Sequence, residues 1–113
     1  MRRFASLGLA SCLLLVAGIA SAKSPVDASS LKRGRAIAQQ NCGRCHAVGA
    51  KGESANPKSP PFRFLARKYP LNNLEEALAE GIVVGHEGLE MPQFRLSAAQ
   101  IEALLDYLAS IQR

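Results

Sequence analysis

Cys42 and Cys45 stand three positions apart, and His46 follows the second directly, in the stretch Asn41-Cys42-Gly43-Arg44-Cys45-His46-Ala47-Val48. Three chemistries use such residues: a zinc site, a thiol–disulfide switch, and covalent attachment of haem. At i, i+3 and i+4 on a helical turn the three side chains point the same way. Haem attachment needs that arrangement, because two thiols add to the two vinyl groups at one porphyrin edge and the next residue offers its imidazole to the iron. A structural zinc site wants four ligands, and beyond Cys45 the chain offers one more histidine, His86, and no cysteine. A thioredoxin-like switch belongs at a strand–helix junction, whereas the pattern around Cys42 is helical. Covalent haem c, with its iron, is the expected cofactor.

Residues 1–22 have the layout of a secretory leader. Met1-Arg2-Arg3 is basic, Phe4 to Ile19 is almost unbroken apolar or small, and Ala20-Ser21-Ala22 is a cleavage signal. The run approaches the ~18 residues of a membrane span, so an uncleaved anchor is the alternative. Leu9-Ala10-Ser11-Cys12 also resembles a lipoprotein box, but the apolar run continues through Leu13 to Val16, and Cys12 reads as an ordinary member of it. Cleavage after Ala22 leaves residues 23–113 as one domain, exported to the periplasm and without stable membrane insertion. A domain that small gains from a cofactor that extends its core.

Residues 23–113 hold 12 basic and 9 acidic side chains, a net charge of +3, and their aromatic residues are Phe62, Phe64, Tyr69, Phe94 and Tyr107. That excess does not suggest nucleic-acid binding. Its distribution says more: residues 23–68 carry a balance of +8 and residues 69–113 a balance of −5. Such polarity usually marks solvated faces and can orient a protein towards a charged partner.

Several elements must position the cysteine turn. Lys23 to Ser29 reads as a loose lead-in. Leu31, Gly34, Ile37 and Ala38 recur at helical spacing after Ser29-Ser30, which predicts a helix from about Leu31 to Asn41. Gly49 to Pro61, with two glycines and three prolines, is a surface loop. Phe62, Leu65, Ala66 and Tyr69 predict a short helix that Pro70 stops. A third helix, capped by Asn73 and carrying Leu74, Ala77 and Leu78, ends near Gly81, and residues 81–96 are irregular. Ser97 and Gln100 form a capping box before the apolar stripe Ile101, Leu104, Leu105, Leu108 and Ile111. No alternating strand pattern stands out, so the domain is expected to be all-α.

Gly34 eight residues before Cys42, "CGRCH", the proline loop, "GLEMPQF" and a last helix with Tyr107 in "LLDYLASI" together resemble the class I c-type cytochromes. Within them the chain is most similar to the small single-haem periplasmic cytochromes of bacteria, and the likeness spans residues 23–113. The resemblance implies a cytochrome c-like fold of three to five helices around one covalently bound haem. First and last helices would cross at Gly34 and the Leu104/Tyr107 region, where a residue without a side chain lets two backbones approach. Cys42 and Cys45 would carry the thioethers and His46 the iron.

Met91 lies 45 residues after His46, precedes Pro92, and is the sole methionine of residues 23–113. It is the expected second axial ligand, raising the potential because its soft sulfur favours reduced iron. His86 is the competitor; its ordinary role is a loop histidine. The family's loop proline, whose carbonyl accepts the imidazole N–H, would be Pro61, with Pro60 beside it. Phe94 would cover the haem edge.

The implied function is an electron carrier, not an enzyme. It would act as a monomer that shuttles single electrons between redox proteins, a donor dehydrogenase and a reductase or oxidase acceptor. The alternatives are a haem-based ligand sensor or peroxidase-like enzyme with labile or absent Met91, and a fixed subunit of one oxidoreductase. Only His86 and Glu87 offer distal acid–base groups for the former.

Overall fold

The structure, a computed structural model, describes residues 18, 24–81, 85, 86 and 89–113. The expected leader, 1–22, lies outside them apart from Gly18. Helix α1 runs Ala28–Cys42, a 3-10 helix Phe62–Arg67, helix α2 Leu71–Glu80 and helix α3 Ala98–Ile111. Between α2 and α3, strand β1 (Gly85–His86) pairs antiparallel with strand β2 (Leu89–Glu90), placing His86 opposite Leu89. That two-residue ladder falls in the stretch expected to be irregular and leaves the fold all-α. Among the described residues no helix is long and apolar enough to cross a membrane.

Helix α1 starts earlier than its apolar spacing suggests, because Asp27 rather than Ser29 or Ser30 caps it. The Asp27 carboxylate accepts from Ser30 N–H at 2.8 Å and from Ser29 Oγ at 2.6 Å, satisfying a donor that the first turn leaves open. Those bonds, the Ser29 hydroxyl first, hold its pKa below the ordinary 3.8. In α2 the expected cap, Asn73, lies inside the first turn and donates its N–H to Pro70 O. Pro70 itself precedes the helix, and its fixed φ sets the entry. The Ser97–Gln100 box at α3 forms as expected, with Gln100 N–H on Ser97 Oγ and Ser97 N–H on Gln100 Oε1.

Helices α1 and α3 make the core. Gly34, Ile37 and Ala38 are buried on one, and Ile101, Ala103, Leu104, Tyr107 and Leu108 on the other. A Cβ on Gly34 would run into Ala103 O and sit 2.7 Å from both Ala103 C and Tyr107 Cβ. The helices therefore cross backbone to backbone. Phe62 and Leu65 of the 3-10 helix join the cluster, whereas Tyr69 is 54% exposed and takes no part.

The C-terminus staples the 3-10 helix to α3. The Gln112 amide donates to Phe62 O and Leu108 O, each at 2.8 Å, and accepts from Ala66 N–H at 2.8 Å. Arg113 N–H reaches Arg63 O at 2.9 Å. By contrast, α2 has no buried residue, and its apolar positions Leu71, Leu74, Ala77 and Leu78 are half-covered.

Gly34→Ala is expected to destabilise the protein by about 3 kcal/mol, the upper end of ordinary overpacking, because the neighbour that must yield is backbone. A chemical-denaturation midpoint equal to that of the wild type would contradict the crossing. The Asp27 cap should act above the ordinary carboxylate pKa and be lost as pH falls through its lowered one, since the stabilising form is the charged one. The protection of the Ser30 amide relative to intrinsic exchange should accordingly fall in acid in the wild type and be low at every pH in Asp27→Ala.

Candidate functional site

Helix α1 ends at Cys42, but the chain keeps turning. Gly43 stays right-handed helical, and the N–H groups of Cys45 and His46 both reach Cys42 O, at 3.2 and 3.0 Å. One extra turn thus carries both cysteines and the histidine. Cys42 packs half-buried against the core and Cys45 is exposed. Both are free thiols. Burial pushes Cys42 up to about 11, so it is a neutral thiol at pH 7, unlike the low-pKa attacking thiolate of a disulfide switch.

His46 Nδ1 lies 2.8 Å from Pro60 O. A carbonyl only accepts, so Nδ1 carries a proton, and Nε2 is the ring nitrogen whose lone pair can bind a metal in the neutral tautomer. The Phe62 ring lies against the imidazole, with centroids 4.8 Å apart and planes inclined at 39°. The partner is Pro60, and the assignment to Pro61 is corrected. Pro61 O is occupied one step further on, accepting Phe64 N–H at 3.1 Å to open the 3-10 helix.

Tyr107 OH donates to Val48 O at 2.7 Å, so α3 also grips the chain just past His46. The structure therefore brings together Cys42, Cys45, His46 and Pro60, and adds Phe62, which its spacing places in the short helix but not at the site. Met91 and Phe94 are half-buried in the segment between β2 and α3. Among the described residues, no hydrogen bond or ring contact joins them to the cysteine turn. His86 contributes its backbone to β1.

The donor set suits an iron porphyrin held covalently: two unpaired thiols and one imidazole with Nε2 free, all on one turn. The apolar surroundings suit it too. Cys42, Val48, Leu71, Leu74, Leu78 and Leu96 border the core yet stay only partly covered. The cavity of about 350 Å³ bordered by Asp27, Ser30, Glu102 and Asp106 is no rival, since it is polar. It also lies at the other end of α1, ~18 Å of helix from Cys42.

The family model for cytochrome c matches residues 31–112, and the chain belongs to that family. No curated protein and no solved structure matches it. Membership brings covalently bound haem c with its iron, haem-based electron transfer and redox partner proteins.

Tyr107→Phe removes one hydrogen bond and keeps the ring. We expect a loss of roughly 1 kcal/mol, with somewhat more if Val48 O stays dry and unpaired. Thermal unfolding of the holoprotein measures it, and an unchanged midpoint would mean that Val48 is not held by α3.

Proposed function

We propose that this chain is an exported, monomeric electron carrier in the periplasm, freed from a leader at residues 1–22 and consisting of one domain, 23–113. Cys42 and Cys45 carry the haem thioethers, and His46 and Met91 are the axial ligands. The observation that carries this reading is the His46–Pro60 bond, which commits Nδ1 to the carbonyl and leaves Nε2 as the nitrogen available to a metal, one residue beyond a free thiol. The bound group would supply a one-electron iron couple.

Each residue then has a task of its own. Pro60 O holds the imidazole in one tautomer and makes it a stronger donor. Phe62 limits rotation of the ring. The Met91 thioether, soft and neutral, favours reduced iron and raises the potential. Phe94 would cover the haem edge. With His46 and Met91 both on the iron, no coordination position would be left open for a substrate, which favours carriage over catalysis. The leader pattern and the family's covalent haem support export, and the acceptors and donors are redox proteins met at the exposed haem edge.

The test is an optical spectrum of the matured protein, oxidised and reduced, beside that of Met91→Ala. The wild type should show covalent haem c and the weak far-red band of methionine on ferric iron, and its reduced form should ignore carbon monoxide. Met91→Ala should lose the band and bind carbon monoxide quickly. A wild type without the band, or one that takes up carbon monoxide as fast as the variant, would move the sensor or peroxidase-like reading to first place.

A further inference from the structure

The loop from Gly49 to Pro61 folds back onto the cysteine turn, and the main chain of Asn56 and the side chain of Ser54 make the contacts on which it lands. Asn56 N–H donates to Cys45 O at 3.1 Å, and Ala47 N–H donates to Ser54 Oγ at 2.9 Å. Phe62 N–H reaches Ala47 O at 2.9 Å. With the Cys45 N–H on Cys42 O, both main-chain polar groups of Cys45 and of Ala47 are engaged. These are the two neighbours of His46. Within residues 50–58 every side chain is exposed except Ser54 and Asn56, which are drawn halfway in.

Asn56 also shapes the turn that delivers Pro60. Pro57, Pro60 and Pro61 have no N–H, so the donors of that turn are Lys58 and Ser59. Asn56 takes both, with Oδ1 accepting from Lys58 N–H at 3.1 Å and its carbonyl accepting from Ser59 N–H at 3.0 Å. Ser59 is thereby buried, at 3% exposure, and Pro60 O follows it to His46 Nδ1. An asparagine that bonds its own backbone two residues on pre-forms a turn.

We propose that Ser54 and Asn56 are positioning residues for the His46 imidazole. Ser54 locks the peptide that follows the histidine, and Asn56 aims the carbonyl that holds its Nδ1–H. Neither touches the ring. The proposal rests on His46 being an iron ligand, because only then does the angle and basicity of the ring become a property of the metal centre. Loosening the Nδ1–H bond makes the imidazole a weaker donor and relieves its stabilisation of oxidised iron, so the potential rises.

The experiment uses the matured holoprotein, comparing wild type with Ser54→Ala, Asn56→Ala and the conservative Ser54→Thr and Asn56→Asp. Three quantities are read: the reduction potential, the haem methyl proton shifts of the oxidised form, which report ring orientation, and amide exchange at Ala47 and Asn56. Both alanine variants should raise the potential and redistribute the methyl shifts. Exchange at Ala47 should quicken roughly fivefold in Ser54→Ala, as the loss of one hydrogen bond predicts. The conservative variants should return the potential and shifts towards wild type. Alanine variants that melt earlier but keep wild-type potential and shifts would overturn the proposal, leaving a merely structural role. If Asn56→Ala yields no holoprotein, Ser54→Ala and wild-type exchange decide the matter: fast exchange of Ala47 and Asn56 in the wild type also overturns it. A His46→Ala protein with the wild-type spectrum would instead refute ligation by His46, a distinguishable failure.

Discussion

Two helices can touch backbone to backbone only where neither has a side chain in the way, and Gly34 is where α1 meets that condition. With hydrogen as its side chain, the turn at Gly34 fits against Ala103 and Tyr107, and the small Ala38 and Ala103, at 0% and 1% exposure, continue the close seam on either side. The position of Cys42 follows, since it ends the same helix two turns later. So does the reach of Tyr107, whose hydroxyl meets Val48 O only because α3 lies this near the cysteine turn. Any residue larger than glycine would push the two helices apart and carry the turn away from its anchor.

Around that crossing the rest of the molecule is thin. Helix α2 buries none of its residues, and among the described residues no large side chain is wholly enclosed. A domain of this length has little surface to hide, and the apolar edge formed by Leu71, Leu74, Leu78 and Leu96 is left half-covered. Haem c, besides its redox chemistry, would supply apolar surface to cover that edge. The polar staples at the margins fit the same account: Gln112 ties the 3-10 helix to α3 through three hydrogen bonds, holding Phe62 where its ring can rest on His46.

The cysteine turn and the four helical segments were legible in the sequence because each rests on local chemistry or periodicity, whereas the Gly34 crossing came only with the resemblance to the c-type cytochromes. Spacing put Cys42, Cys45 and His46 on one turn, and the Ser97–Gln100 pair marked the start of α3 before its stripe began. What went unread depended on how loops close. Either Pro60 or Pro61 could present a carbonyl to the imidazole, and the choice turns on Asn56 drawing in the Lys58 and Ser59 amides, an arrangement no count of residues supplies. Asp27 displaced the cap expected at Ser29-Ser30 by two or three residues, since neighbouring polar side chains can compete for one helix start. Helix α2 opens after Pro70, three residues before Asn73, because the fixed φ of proline sets its entry. Phe62 and Gln112 act across long sequence separations, where periodicity says nothing.

Electron transfer makes and breaks no bonds to a substrate, so what the protein contributes is constancy of the metal's surroundings. Hydrogen bonds preorganised before the event are worth more than those that must rearrange during it. The neighbourhood of His46 fits that demand. Its ring is held by a carbonyl at Nδ1 and by an aromatic ring alongside, and the residues on either side have their N–H and C=O groups engaged. Each restraint comes from a different segment: α1 through Cys42, the proline loop through Ser54, Asn56 and Pro60, and the 3-10 helix through Phe62. Because α3 in turn holds the 3-10 helix and the residues after His46, a disturbance of any one segment meets the others. On the proposed reading, the histidine side of the iron is thereby the rigid half of the site. The Met91 side follows a two-residue strand pairing and an irregular run of residues, so tuning of the potential by substitution is more open there than at His46.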